Sequence, residues 1–394
     1  MPTADTPVRD PSASGPADPA EDHGVQPLSD GAILAEARRQ MTVCVVCKFC
    51  NGYCDVFRAA DARPALTDAD LLYLANLCHH CRNCWYACQY RPPHAFAVGL
   101  PAALTRVRAL SWRRFVGVRP PGGPALLALV STLLVPLLSL ALVPADVLFA
   151  AHTGPGAFHA VIPRAPMVWG AALAVLAPLV LVGVAMARFW RVIGGGLTRR
   201  EARALPAALR DILTLRNLRG GGVGCNDRDD AFSPWRRRSH HLVFWGFLLT
   251  LAATLAAAGA HHLLGMRAPY PWISAPVLLG AVGGVALLAG VSGLAWLKAT
   301  ADPAPEAPET RTAEWTLLAV LGASAATGLA LLVARETTAM GLLLALHLGT
   351  VLAFFVTLPF GKMMHAPFRA LALLRAAMDR QETLSDHARP QDRA

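Results

Sequence analysis

Eight of the nine cysteines fall between Cys44 and Cys88, in two copies of one pattern. The first is Cys44-x2-Cys47-x2-Cys50-x3-Cys54 and the second Cys78-x2-Cys81-x2-Cys84-x3-Cys88. Three closely spaced thiolates hold three irons of a cubane, and a fourth thiolate comes from elsewhere. Two such runs in one short domain are the ligand pattern of two [4Fe–4S] clusters, in which the fourth Cys of each run serves the other cluster. The spacing predicts Cys44, Cys47, Cys50 and Cys88 on one cluster and Cys78, Cys81, Cys84 and Cys54 on the second. Zinc is the competing reading, but it is usually held by two separated C-x2-C pairs. Asp55 and Gln89 stand where a Pro usually follows the fourth Cys, so the crossed assignment stays open on spacing alone.

Histidines are the second set of candidates. His240, His241, His261 and His262 flank one long apolar run; His347 lies inside another, and His365 lies just past its end. His347 and His365 are 18 residues apart, about five turns, and share a face if one helix carries both. With antiparallel helices, His347 falls toward His261 and His262, and His365 toward His240 and His241. Imidazoles from two helices of a bundle are how a membrane protein holds b-type haem. Ionisable groups at membrane depth are functional candidates by default. The expectation is one or two b-type haems on these six residues. His152 and His159 compete as ligands or as groups of a quinone site. The plain alternative is interfacial histidines bonded to headgroups.

Helices must position these residues. Residues 29–43 carry Ile33, Leu34, Ala37 and Met41 at helical spacing, with Ser29 or Asp30 as cap. Thr67 and Asp70 resemble a capping box before Leu71, Leu74 and Ala75. Each cysteine run thus follows a helix, which predicts an α-helical ferredoxin over 29–98. Residues 1–28 are rich in Pro, Asp, Ala and Gly without an apolar core, so a disordered tail is expected and a signal peptide is not. The basic stretch 99–124, with Arg106, Arg108, Arg113 and Arg114, reads as an amphipathic linker on the membrane surface.

The 394 residues are 54% apolar and only 16% charged, with mean hydropathy +0.41. Six apolar segments explain this, near 125–150, 167–190, 241–264, 274–297, 315–335 and 340–360. Each is long enough to cross about 30 Å of hydrocarbon. The expected fold is therefore all-α, a two-cluster ferredoxin followed by a six-helix, cytochrome-b-like transmembrane domain over 125–378, then a flexible tail over 379–394. The net charge of +10 sits in loops flanking apolar runs, which speaks against nucleic acid and for orientation in a bilayer. Twelve Arg lie between Arg188 and His240, so the positive-inside rule places loop 191–240 and both termini in the cytoplasm, at the inner membrane. In that loop Leu205–Leu218 reads as an amphipathic helix, Gly220–Gly224 as a flexible turn without nucleotide-binding spacing, and Cys225 as an ordinary thiol. Glycines 280, 283, 284, 290 and 293 suggest close helix packing.

Several stretches are more specific than the cysteine runs: CRNCWYACQYRPPHAF, GGGVGC, RRRSHHLVFWGF and HLGTVLAFFVTLPFGKMMHAPFRALALLR. Together they resemble the tricarballylate-utilisation protein B family, also called citrate-utilisation protein B, over about residues 30–380. The resemblance implies a membrane protein that reoxidises the reduced FAD of a partner dehydrogenase acting on tricarballylate and passes electrons to the quinone pool. A similar module in cobalamin biosynthesis carries haem, which keeps a corrin-ring partner open. A subunit like those of heterodisulfide or nitrate reductases, and a membrane redox sensor, are the other readings. Independently of the family, the chain has no flavin or nicotinamide fingerprint, so a two-electron donor must be another protein.

Overall fold

A computed structural model describes residues 28–196 and 198–388; the expected N-terminal tail lies outside this range, apart from Leu28. Among the described residues the fold is all-helical, with one isolated bridge between Cys225 and Ser233. The N-terminal unit contains α1 (Asp30–Cys47), α2 (Asp55–Asp61), α3 (Asp68–Leu77), the single turn α4 (Asn83–Tyr86) and α5 (Leu100–Val116). Ser29 caps α1, its side chain accepting from the Ala32 N–H at 3.2 Å. At α3 the capping box forms in full: Thr67 accepts from the Asp70 N–H, and the Asp70 carboxylate accepts from the Thr67 N–H at 3.0 Å. Leu71, Leu72, Tyr73, Leu74 and Leu77 are all buried, so α3 is apolar on every side and forms the centre of this unit.

The stretch expected to be a surface linker is instead a core helix. Twelve residues of α5 are buried, including Leu104, Val107 and Leu110, and the helix packs on α1, α3 and the membrane part. Its charge misled the sequence reading. Arg108 is buried and donates to the carbonyls of Ala75 and Cys78 at 2.8 and 2.7 Å.

The membrane part comprises α6 (Gly123–Leu142), the short turns α7 (Ala145–Leu148) and α8 (Ala157–Val161), α9 (Arg164–Val192), α10 (Arg199–Leu213), α11 (Trp235–Leu264), α12 (Ala275–Ala299), α13 (Arg311–Ala334), α14 (Met340–Thr357) and α15 (His365–Ala388). Six helices are long and apolar enough to cross a membrane: α6, α9, α11, α12, α13 with its preceding turn, and α14 with its following turn. Leucines such as Leu129, Leu137 and Leu173 stay exposed on them, as lipid-facing residues do. The chain is a multi-pass membrane protein. The first span ends at Leu142 rather than near 150, because Pro144 and the α7 turn take over. The third begins at Trp235, inside the stretch read as loop.

Glycines set the closest helix contact. A Cβ on Gly246 would lie 2.6 Å from the Leu287 nitrogen, and one on Gly290 2.6 Å from the Val243 nitrogen. So α11 and α12 pack backbone to backbone, as the glycine pattern implied. After α14 the chain does not continue as one helix. Pro359 lies in a short 3-10 turn, Leu358–Phe360, and extended Gly361 separates it from a second, Lys362–Met364, before α15 starts anew. The helix α15 runs on to Ala388, through the start of the stretch read as tail, and lies against α10 and α3.

Candidate redox site

The helix α1 overruns the first cysteines, so Cys44 and Cys47 sit on its last turn. Lys48, left-handed at φ 58°, ends it with its N–H on the Cys44 carbonyl at 2.9 Å. Cys78 caps the end of α3. The second loop then bends through two left-handed residues, His80 (φ 57°) and Arg82 (φ 65°), a conformation rare for residues with a Cβ. These bends turn Cys78, Cys81 and Cys84 toward one small cavity, which Cys54 of the first run also lines, together with Leu100, Pro101 and Leu104.

Burial, followed by the neighbouring Cys50, Cys88 and Cys47, pushes the Cys44 thiol up to about 12. Burial and then Cys88 and Cys47 do the same to Cys50, also to about 12. Cys54 is raised well above its ordinary value by burial and then by Cys81 and Cys78. Without a cation these thiols hold their protons at neutral pH. A metal must replace those protons for them to act as ligands. Among the described residues no three His, Cys, Asp or Glu close on a point as a single metal ion needs.

The glycine run is not a free turn. A Cβ on Gly221 would meet the Tyr53 ring at 2.5 Å, and one on Gly220 the Asn83 amide at 2.5 Å. The run lies directly on both cysteine loops. Asn226 donates its N–H to the Cys81 carbonyl at 3.0 Å. Cys225 is fully buried beside Leu218, with Cys81 packed against that cluster.

Behind the second loop lies a cavity of about 270 Å³. His79 and His80, the two residues between Cys78 and Cys81, form its wall on the cluster side, and His240 and His365 line it from the membrane helices. The His240 and His365 rings are 6.1 Å apart between centroids, at 83°. The Nδ1 of His365 lies 2.6 Å from the Lys362 carbonyl, so Nδ1 carries the proton and Nε2 is left free. Burial, and then the Arg369 charge, holds His365 well below the usual histidine range. Burial and Arg369 likewise depress His79. Both rings are neutral, with a nitrogen available to a ligand. His240 Nδ1 is buried without a partner.

The other expected histidines do not join this site. The kink at Pro359 and Gly361 removes the shared face of His347 and His365. His347 points to α13, where its Nδ1 meets the Thr327 hydroxyl at 3.2 Å. It does not meet His261 or His262, which lie 4.9 Å apart between centroids at the far end of α11. His261 faces His159 at 6.1 Å instead. His241 neighbours His240 in sequence but does not line the cavity. His152 bonds the Val147 carbonyl at 2.8 Å. His79 and His80 were not singled out from the sequence, although their place inside the second cysteine run was the available signal.

Residues 119–386 match the Citrate utilization protein B family, and residues 37–113 match the Citrate utilization protein B Fer4-like domain. The chain belongs to the citrate utilization protein B family. It is 39% identical over 357 residues to Citrate utilization protein B of Escherichia coli, which covers 88% of this chain and 93% of that protein. No solved structure matches it. The Fer4-like match runs to residue 113, through most of α5 (Leu100–Val116), so the family's ferredoxin-like unit takes in most of the helix that the sequence reading had set outside. Membership of this family, with its Fer4-like domain, makes the chain an iron–sulfur electron-transfer protein of the membrane.

Proposed function

We propose that this protein reoxidises the reduced FAD of a soluble partner dehydrogenase, of the kind that oxidises tricarballylate, and delivers the electrons to membrane quinone. When bound, two [4Fe–4S] clusters and a b-type haem supply the one-electron carriers between a two-electron flavin and the quinone. One observation carries this reading: the second cysteine loop and the His240–His365 pair share the walls of a single cavity.

The residues divide the work as follows. Cys44, Cys47, Cys50 and Cys88 hold one cluster. Cys78, Cys81, Cys84 and Cys54 hold the other, a crossing supported by the place of Cys54 in the second loop's cavity. His240 and His365 hold the haem. Their rings lie 6.1 Å apart between centroids, near enough for both imidazoles to reach one metal ion. Leu294, Leu297 and Leu317 give the cavity an apolar wall, as a macrocycle requires. The Arg-rich segments beside α9 and α11 support a cytoplasmic side for the cluster unit and both termini, at the inner membrane.

The test uses inverted membrane vesicles that contain the protein, mixed with a chemically reduced FAD dehydrogenase. Quinone reduction is expected only with the intact chain and is lost in Cys78→Ser. Purified protein should carry about eight irons beyond haem iron. Vesicles that leave quinone oxidised while the dehydrogenase stays reduced overturn the reading.

A further inference from the structure

The cavity behind the second cysteine loop has a strongly cationic end. Six basic and three acidic side chains line it. All three carboxylates are already engaged. Glu314 bridges Lys298 and Lys362, Glu306 meets Arg82 at 2.8 Å, and Asp211 meets Arg216 and Arg380 at 2.8 and 2.6 Å. Arg236 pairs with Asp227 outside the cavity at 2.6 Å.

Arg108 and Arg369 remain. Among the described residues neither meets a carboxylate. Arg108 bonds only the Ala75 and Cys78 carbonyls, and Arg369 only those of Asn76 and Cys78. Arg108 is 2% exposed. A buried charge is costly unless an opposite charge meets it. Two adjacent guanidiniums, Arg108 buried and Arg369 half-buried, each with donors to spare toward one cavity, call for an anion there. Lys362 adds a third cation at the same end, because it shares its one carboxylate with Lys298.

We propose that this end of the cavity is a carboxylate-binding site formed by Arg108, Arg369 and Lys362, filled by the propionates of the haem that His240 and His365 hold. The proposal rests on the haem reading above. The arrangement fits one ligand with two unlike ends. His365 begins α15 and Arg369 follows one turn later, so imidazole and guanidinium project from the same helix face, as both line the cavity. A planar guanidinium recognises a carboxylate through two parallel bonds, and the lysine adds a point charge. The same cations would accept the carboxylates of a free polycarboxylate such as citrate, and the experiment separates the two sources.

Full-length protein is purified from haem-starved cells with its clusters in place, shown by iron and sulfide counts. It is titrated with haem, with haem dimethyl ester and with citrate. Haem should bind with a b-type band, and the ester about tenfold or more weaker, the loss expected for one charge-assisted hydrogen bond. Arg369→Gln and Lys362→Gln should each weaken haem by about the same factor and leave ester binding unchanged. Arg369→Lys should recover most of the loss. Equal binding of haem and its ester overturns the carboxylate site while the haem assignment stands. Citrate binding that depends on Arg369 and Lys362, without any haem binding, keeps the site and removes the haem. No binding of either removes both.

Discussion

His365 shows how one residue is tuned by its surroundings. Its Nδ1 proton is fixed on the Lys362 carbonyl, and Nε2 is left toward a cavity that His240 shares. His365→Ala should therefore abolish the b-type absorption band of the purified protein, whereas His347→Ala should retain it. His347→Ala should lower thermal stability modestly, since the Thr327 contact and the packing on Gly328 are lost. A lost band in His347→Ala and a retained one in His365→Ala would reverse the assignment. The sequence held the signal for this difference. Pro359 and Gly361 stand between the two histidines, and proline cannot continue a helix through its own position without losing a hydrogen bond. Helical counting across that pair was the error. Asp70 gives a second test at this scale. Burial raises its carboxyl, but Thr67 and Arg63 outweigh burial and hold it below the usual range. Its unfolded pKa is near 3.9. A depressed folded pKa adds stability above that value, lost as pH falls through the folded pKa. Asp70→Asn should flatten the acid limb of a thermal-melt series below about pH 4 and leave the neutral-to-alkaline limb parallel to wild type.

At the level of elements, α11 and α12 depend on the absence of side chains. Gly290→Leu places a branched side chain where even a Cβ would be 2.6 Å from the Val243 nitrogen. The two helices must separate, so the variant should melt well below wild type. His240, on α11 one turn before Val243, should then move from His365 and weaken the b-type band in proportion. Overpacking of this kind typically costs about 1–3 kcal/mol, occasionally more. A Gly290→Leu protein with unchanged melting would mean that α11 and α12 do not pack as described. The apolar spans, the α3 cap and this glycine contact were all legible, because hydropathy, capping and small-residue spacing are local signals. The burial of α5 was not. Four arginines made it look like a surface helix, and the carbonyls that Arg108 meets inside, on Ala75 and Cys78, are distant in sequence.

For the whole molecule, α15 is the connection that matters most. It lines the cavity that His240 and His365 share near its start, and Arg369 reaches the Cys78 carbonyl at 2.8 Å. Farther along, Asp379 meets Arg63 at 3.2 Å and the Tyr73 hydroxyl at 3.3 Å, and Arg380 meets Asp55 at 3.3 Å. The helix α15 is thus bound to the cluster unit, so both must lie on one side of the membrane. Protease added to inverted vesicles should cut near both termini. In right-side-out vesicles both should be protected; cutting at only one terminus in either preparation would contradict the fold. The order of synthesis adds a further consequence. The cysteine loops leave the ribosome well before the helix that covers α3 and clamps Cys78. Until then the cluster unit stays open on that face, with all six membrane spans already made. Delivery of iron and sulfide by the assembly machinery therefore has a defined interval, and completion of α15 closes it.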